Sequence, residues 1–150
     1  MTLSKDFGCV CDAVENIADL QDAVEEQCST SCYSNLLSPV NTLGDTIPFI
    51  LYTEKGEPFK AFGNVGELQS GDCFNTIFFR VESVKKCCAT LRLLIAFDDK
   101  KHVLNFHKNS ACDVFRLEKT DNCIEVDLKC FCSIQCLNPR LINRTLNGDD

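Results

Sequence analysis

No C-x-x-C occurs anywhere in these 150 residues, so the usual dithiol oxidoreductase motif is missing. There is no P-loop, no G-x-S-x-G and no H-E-x-x-H, which removes the common phosphate-cradling, serine-hydrolase and zinc-protease signatures. Histidine is scarce. His102 and His107 have H-x4-H spacing on or near an expected strand, which is no zinc signature, and we read them as ordinary polar residues. Carboxylates are plentiful but none forms an interpretable pair. These absences point away from an enzyme and from a bound cofactor.

Basic charge is also in short supply. Fifteen Lys and Arg face 22 Asp and Glu, for a formal charge of -7. Phosphates would be repelled, so nucleic acid and anionic membrane surfaces are poor partners. No basic stripe offsets this locally; Lys85-Lys86 and "DDKKH" at Asp98 to His102 are short and mixed. The first residues, "MTLSKDFGCVCDAVENIADLQ", hold neither a positive segment nor a long apolar run. The expectation is no secretory signal and no membrane span. The sequon at Asn143-Arg144-Thr145 then carries little meaning.

Cysteine, by contrast, is abundant at 12 residues. That density suits an oxidising compartment, and cytosolic chains that carry it usually bind metal. A chain of this length buries a single core without needing disulfides. The cysteines therefore hold metal, fill a core, or cross-link the protein once it leaves a reducing environment.

Periodicity gives the frame. Val10, Ala13, Ile17, Leu20 and Val24 follow an a/d heptad pattern, with Val14 widening the stripe and Asp12, Glu15, Asn16, Asp19 and Asp22 opposite. Ser4 or Asp6 can cap the start, and "CSTSC" with Pro39 ends the segment. The stripe packs either on its own domain or as a seam between subunits; three heptads are short for a free coiled coil. From Ile47 the period becomes two. "IPFILYT" and "PFKAF" flank "EKGE", a hairpin signal with Gly56 at the turn. "TIFFRVESV", "CCATLRLLIAF", "HVLNF", and "DVFRLE" with "CIEVDL" around the turn "KTDN" complete about seven strands. The expected class is α+β, mainly β: a helical arm over residues 1–40, an antiparallel sandwich or barrel over 41–137, and a loose polar tail over 138–150.

The stretch "CIEVDLKCFCSIQC" decides how the clustered cysteines are read. Its even positions, Ile124, Val126, Leu128, Cys130, Cys132, Ile134 and Cys136, are all apolar, while Glu125, Asp127, Lys129, Ser133 and Gln135 alternate with them. One strand would thus bury Cys130, Cys132 and Cys136 on one face. Same-face neighbours lie roughly 7 Å apart, whereas a disulfide needs Cβ atoms about 4 Å apart. One zinc ion would collect all three only at a bend or bulge. In the adjacent pair, Cys87 is expected inward and Cys88 outward. The candidates for cross-linking are Cys9, Cys11, Cys28, Cys32, Cys73, Cys88, Cys112 and Cys123, near the helix, in loops or on outward faces; Cys87 joins Cys130, Cys132 and Cys136 as a candidate buried thiol. A zinc-binding interaction module, drawing on Cys112, Cys123 or the Cys132–Cys136 region, is the alternative, and a thiol redox enzyme is the third reading.

The strings "IPFILYTEKGEPFKAFG", "IFFRVESV" with "CCATLRLL", "CIEVDLKCFCSIQCL" and the opening "CVCDAVENIADLQ" with "CSTSC" resemble the cysteine-rich spore coat Y/Z family, from about Cys9 to Leu137, with the Z type the nearer match. The resemblance implies a structural, non-enzymatic protein of the crust or the basal layer of the exosporium. Such proteins are made in the mother-cell cytoplasm without a signal peptide and deposited on the spore surface. They self-assemble into hexamers and two-dimensional lattices, alongside other coat and crust proteins, and disulfides make the layer insoluble. This implies cross-linking cysteines in the present chain without saying which.

Overall fold

The structure, a computed structural model, describes residues 8–26, 45–64, 73–107 and 109–145, with side chains of the first segment described to Asp22. Helix α1 spans Gly8–Glu26. Its buried face is Val10, Cys11, Val14, Ile17 and Gln21, spaced for one side of an α-helix. This face is turned from the a/d stripe read in the sequence. Ala13 is only half-buried and Leu20 is 50% exposed, because Cys11 and Gln21 take part in the inward face. For Val10, Val14 and Ile17 the seam reading gives way to packing within the chain, in a cluster with β-sheet residues. The side chain of Val24, the capping candidates Ser4 and Asp6, and Pro39 lie outside the described residues.

The strands are β1 (Phe49–Tyr52), β2 (Ala61–Gly63), β3 (Phe74–Thr76), β4 (Phe79–Lys85), β5 (Cys88–Phe97), β6 (Arg116–Asp127) and β7 (Ser133–Cys136). Five form one sheet in the order β6-β5-β4-β1-β7, and β2 pairs with β3 in a second. Every pairing is antiparallel. The α+β class, mainly β, agrees with the sequence, as does the number of strands but not each strand; among the described residues the sheets do not close into a barrel.

The larger sheet is covered on both faces over its centre. Phe49, Leu51, Phe79, Val81, Leu91 and Leu93 pack beneath α1. On the reverse, Ile50, Phe78, Leu94 and Leu117 meet Leu104, Phe106, Leu137, Leu141 and Ile142. This is why "FIL" and "IFF" read as continuous apolar runs: both parities are buried. The C-terminal segment supplies part of that second cover. Where a loose tail is expected, Ile142 bridges to Leu117, and the Asn143 N–H donates to the Leu117 carbonyl.

Three local readings change. "KTDN" is no turn; β6 runs through it, with a register irregularity opposite Arg92–Leu94. Thr120 holds it, its hydroxyl donating to the Leu93 carbonyl and accepting from the Asn122 N–H. "HVLNF" contributes only a bridge, Val103 to Phe97. The "EKGE" hairpin forms, with Gly56 at φ 79°, its N–H on the Thr53 carbonyl, and Pro58 and Phe59 paired with Tyr52 and Leu51, but its second arm then leaves β1 and continues as β2, which pairs with β3.

Gly63 touches that second sheet closely. A Cβ there would come within 2.2 Å of the Phe74 ring, and Phe74 is buried. Gly63→Ala is expected to cost about 1–3 kcal/mol through overpacking, as read by urea unfolding.

Candidate functional site

Cys11 and Cys87 are both fully buried and joined in a disulfide, Cα atoms 5.5 Å apart across a separation of 76 residues. Cys87 does not lie in a strand. Lys86 and Cys87, at φ 52° and 67°, form the two-residue turn between β4 and β5, whose ends pair at Lys85 and Cys88. Such turns need positive φ at both positions and usually signal themselves with Asn-Gly; Lys-Cys does not, so the turn was hidden. The bond ties the first turns of α1 to the hairpin tip, and the Cys87 carbonyl accepts from the Leu128 N–H. Cys11 is thus no cross-linking candidate, and Cys87, buried as expected, is not a free thiol.

The three clustered cysteines are also placed differently. Cys130, Cys132 and Cys136 are exposed, not buried. A 3₁₀ turn, Leu128–Cys130, interrupts the strand, with the Asp127 carboxylate accepting from the Lys129 N–H. Beyond it the apolar spacing stretches: Leu128 is buried, and Phe131 and Ile134 pack against the first core. Phe131 meets Phe59 edge to face at 5.1 Å. Parity cannot be counted across such a turn. Cys136 does share a side with Ile134, opposite Phe49, but it is exposed at the end of β7, an edge strand among the described residues. Partial burial against its neighbours pushes the Cys136 thiol up, which keeps it protonated to higher pH.

Of the remaining candidates, Cys9, Cys88, Cys112 and Cys123 are exposed and Cys73 is half-buried. Cys28 and Cys32 lie outside the described residues. Cys112 sits in a 3₁₀ turn, its N–H donating to the Ser110 hydroxyl in a capping box completed by Asp113. Among the described residues, no three His, Cys, Asp or Glu side chains stand together as metal ligands.

A second buried feature was not anticipated: Arg80. Its guanidinium lies in the sheet and donates to Thr46 Oγ1, the Asp45 carbonyl and Glu82 Oε2 at 2.7 Å. Glu82 also accepts from Arg92 Nε at 2.8 Å, and Arg92 in turn donates to the Thr120 carbonyl. Burial acts to raise the Glu82 carboxyl, but the hydrogen bonds and charges of Arg92 and Arg80 outweigh it and hold the group below the usual carboxylate range. Gln21 plays a similar part under α1, donating to the Val81 carbonyl and accepting from the Ile47 N–H. Among the described residues no buried side-chain polar atom lacks a partner. This polar network ties loop, helix and sheet together.

The chain is a braced α+β scaffold that displays thiols on its edges and turns, the make-up of a cysteine-rich structural protein. The family model described as Spore coat protein Z matches residues 3–139. Spore coat protein Z of Bacillus subtilis (strain 168) is 66% identical over 142 residues, covering 94% of this chain and 96% of that protein. The chain belongs to the spore coat protein Z family. No solved structure matches it.

Proposed function

We propose that the chain is a non-enzymatic building block of the outermost spore layer, crust or exosporium, that assembles with copies of itself and is then locked by intersubunit disulfides. Membership of the family supports the coat role. The observation that carries the locking is the distribution of thiols: Cys9, Cys88, Cys112, Cys123, Cys130, Cys132 and Cys136 are all exposed on a scaffold whose buried pair is already bonded. Exposed thiols suit linkage between molecules. Contacts that are individually weak gain strength in an array, because each further one forms at high effective concentration. Oxidation adds covalent links, each worth about 2–4 kcal/mol where the geometry fits, and many per subunit make release negligibly slow.

The test is a pair of gels and an image. Purified, air-oxidised protein should run as a high-mass ladder without reductant and collapse to 16.8 kDa with reductant and heat. Electron microscopy should find sheets or rings. A monomer under oxidising conditions at high concentration overturns the proposal.

A further inference from the structure

Two pairs of cysteines that are close in sequence are split by the fold. In "CVC", Cys11 is buried and bonded while Cys9 is exposed; in "CC", Cys87 is buried and bonded while Cys88 is exposed. A third exposed thiol lies at the same corner. The Leu128 N–H donates to the Cys87 carbonyl at 2.9 Å, and Cys130 closes the 3₁₀ turn that Leu128 opens. α1 packs on that turn as well. The bonded Cα atoms are 5.5 Å apart, and ordinary chain, helix and turn spacings then put the Cα atoms of Cys9, Cys88 and Cys130 each within about 12 Å of the nearer one.

These three thiols stand on a fixed frame. The start of α1, the β4–β5 turn and the 3₁₀ turn are separate stretches of chain, and the buried bond and the Leu128 hydrogen bond hold them together. A group fixed in advance loses little freedom when it meets a partner. The bond also removes the local competitors. Cys11 and Cys87 are fully buried, and exchange needs a thiolate to reach a disulfide sulfur, so the inner pair is closed to its exposed neighbours. Cys9, Cys88 and Cys130 therefore remain thiols for a partner.

Placement sets this corner apart. The other exposed thiols are spread out: Cys112 in the turn Ala111–Asp113, Cys123 within β6 opposite Arg92, and Cys136 at the end of β7. Cys132 lies past the 3₁₀ turn, where its N–H donates to the Tyr52 carbonyl. A disulfide needs Cβ atoms about 4 Å apart, a condition that an isolated thiol meets in a narrow range of docking geometries. Two corners that each carry several thiols offer several pairings at once, so a small adjustment of the contact still finds one. That advantage exists only when the corner meets its own kind.

We infer that this corner is a covalent junction between copies of the chain: thiols among Cys9, Cys88 and Cys130 of one molecule bond to the same corner of a second. This deepens the proposed locking and rests on it. Each link joins two Sγ atoms. Two S–H bonds break, and two protons and two electrons leave; dioxygen takes them up, one O2 becoming two waters for every two links. The same surface meets on both sides, so the contact is isologous and two-fold. It joins subunits in pairs and leaves Cys112, Cys123 and Cys136 for contacts with other neighbours.

The test isolates the corner. In one variant every cysteine except Cys9, Cys11, Cys87, Cys88 and Cys130 is replaced by serine. Air-oxidised, it should run without reductant as a covalent dimer, at twice the 16.8 kDa of one chain, and return to monomer with reductant. Adding Cys9→Ser, Cys88→Ser and Cys130→Ser should abolish the dimer and leave only the buried bond. Circular dichroism checks that both variants are folded. Peptide mapping needs no substitution: wild type is oxidised as a mixture of unlabelled and isotope-labelled chains, and mixed-label bonds should join Cys9, Cys88 and Cys130 among themselves. A folded first variant that stays monomeric, or that runs on into a ladder, overturns the two-fold junction while leaving the locking standing. Wild type whose mixed-label bonds all lie at other cysteines does the same. Wild type with no mixed-label bond at all overturns the locking itself.

Discussion

Replacing Cys11 and Cys87 together by alanine is expected to lower the melting temperature by on the order of 10 °C. The bond closes 76 residues, and constraining a loop of that length in the unfolded chain corresponds to about 4 kcal/mol. The two sulfurs also fill space in the first core, so their loss adds a small cavity cost. Differential scanning calorimetry of wild type with and without reductant should reproduce the shift. The double variant should be indifferent to reductant. Equal melting temperatures for oxidised and reduced wild type would remove the bond from the native protein. Non-reducing peptide mapping identifies the pairing directly. Since a cross-linking role for Cys11 is gone, the variant should still form oxidised high-mass species below its melting point.

Arg80→Met should be nearly as costly, about 3 kcal/mol or more, because it leaves Glu82 and Thr46 facing a site that no longer donates. Arg80→Lys should recover little of this: an ammonium cannot reach Thr46, the Asp45 carbonyl and Glu82 together as the planar guanidinium does. Chemical denaturation at neutral pH measures both. A pH series gives the mechanism. Asp45 is also held low: burial works to raise it, and the hydrogen bonds of Lys119 and Thr46 with the charges of Lys119 and Arg80 prevail. For carboxyls depressed by folding, stabilisation is complete above their ordinary values, 4.5 for Glu82 and 3.8 for Asp45. It is lost as pH falls through the lower folded values. The acid limb of the wild-type stability curve should therefore be shallower in Arg80→Met. Parallel acid limbs would mean that Arg80 does not set these titrations.

The class, the strand number and the family were legible because they depend on long runs: a 3.6 period giving way to a period of two, and strings of apolar residues flanked by turns. The errors arose where a single residue alters phase. Parity carried Cys130, Cys132 and Cys136 into the core because Asp127, a capping side chain that starts a 3₁₀ turn, looks in sequence like any polar strand position. The heptad count chose Leu20 over Gln21 because a buried glutamine satisfied by Val81 and Ile47 is invisible to hydropathy. Nothing in "IFFRV" marks Arg80 for burial, yet the loop at Asp45–Thr46 and β4 itself supply its acceptors. The disulfide left a trace: Cys11 lies three residues before Val14, on the inward side of the helix, and Cys87 precedes an apolar row. Two cysteines both marked for burial are a better candidate pair than any two at the surface.

The Leu117–Ile142 clasp has a bearing on that edge of the sheet. It occupies the outer side of β6 at Leu117, with the Asn143 N–H on the Leu117 carbonyl, while among the described residues no strand pairs with the outer side of Cys123–Asp127. The chain thus covers the start of its own longest strand with its own C-terminal segment, which blunts that part of the edge. Shortening the chain before Ile142 would uncover Leu117 and lengthen the unpaired edge, turning a strand end that is closed from within into a template for another chain.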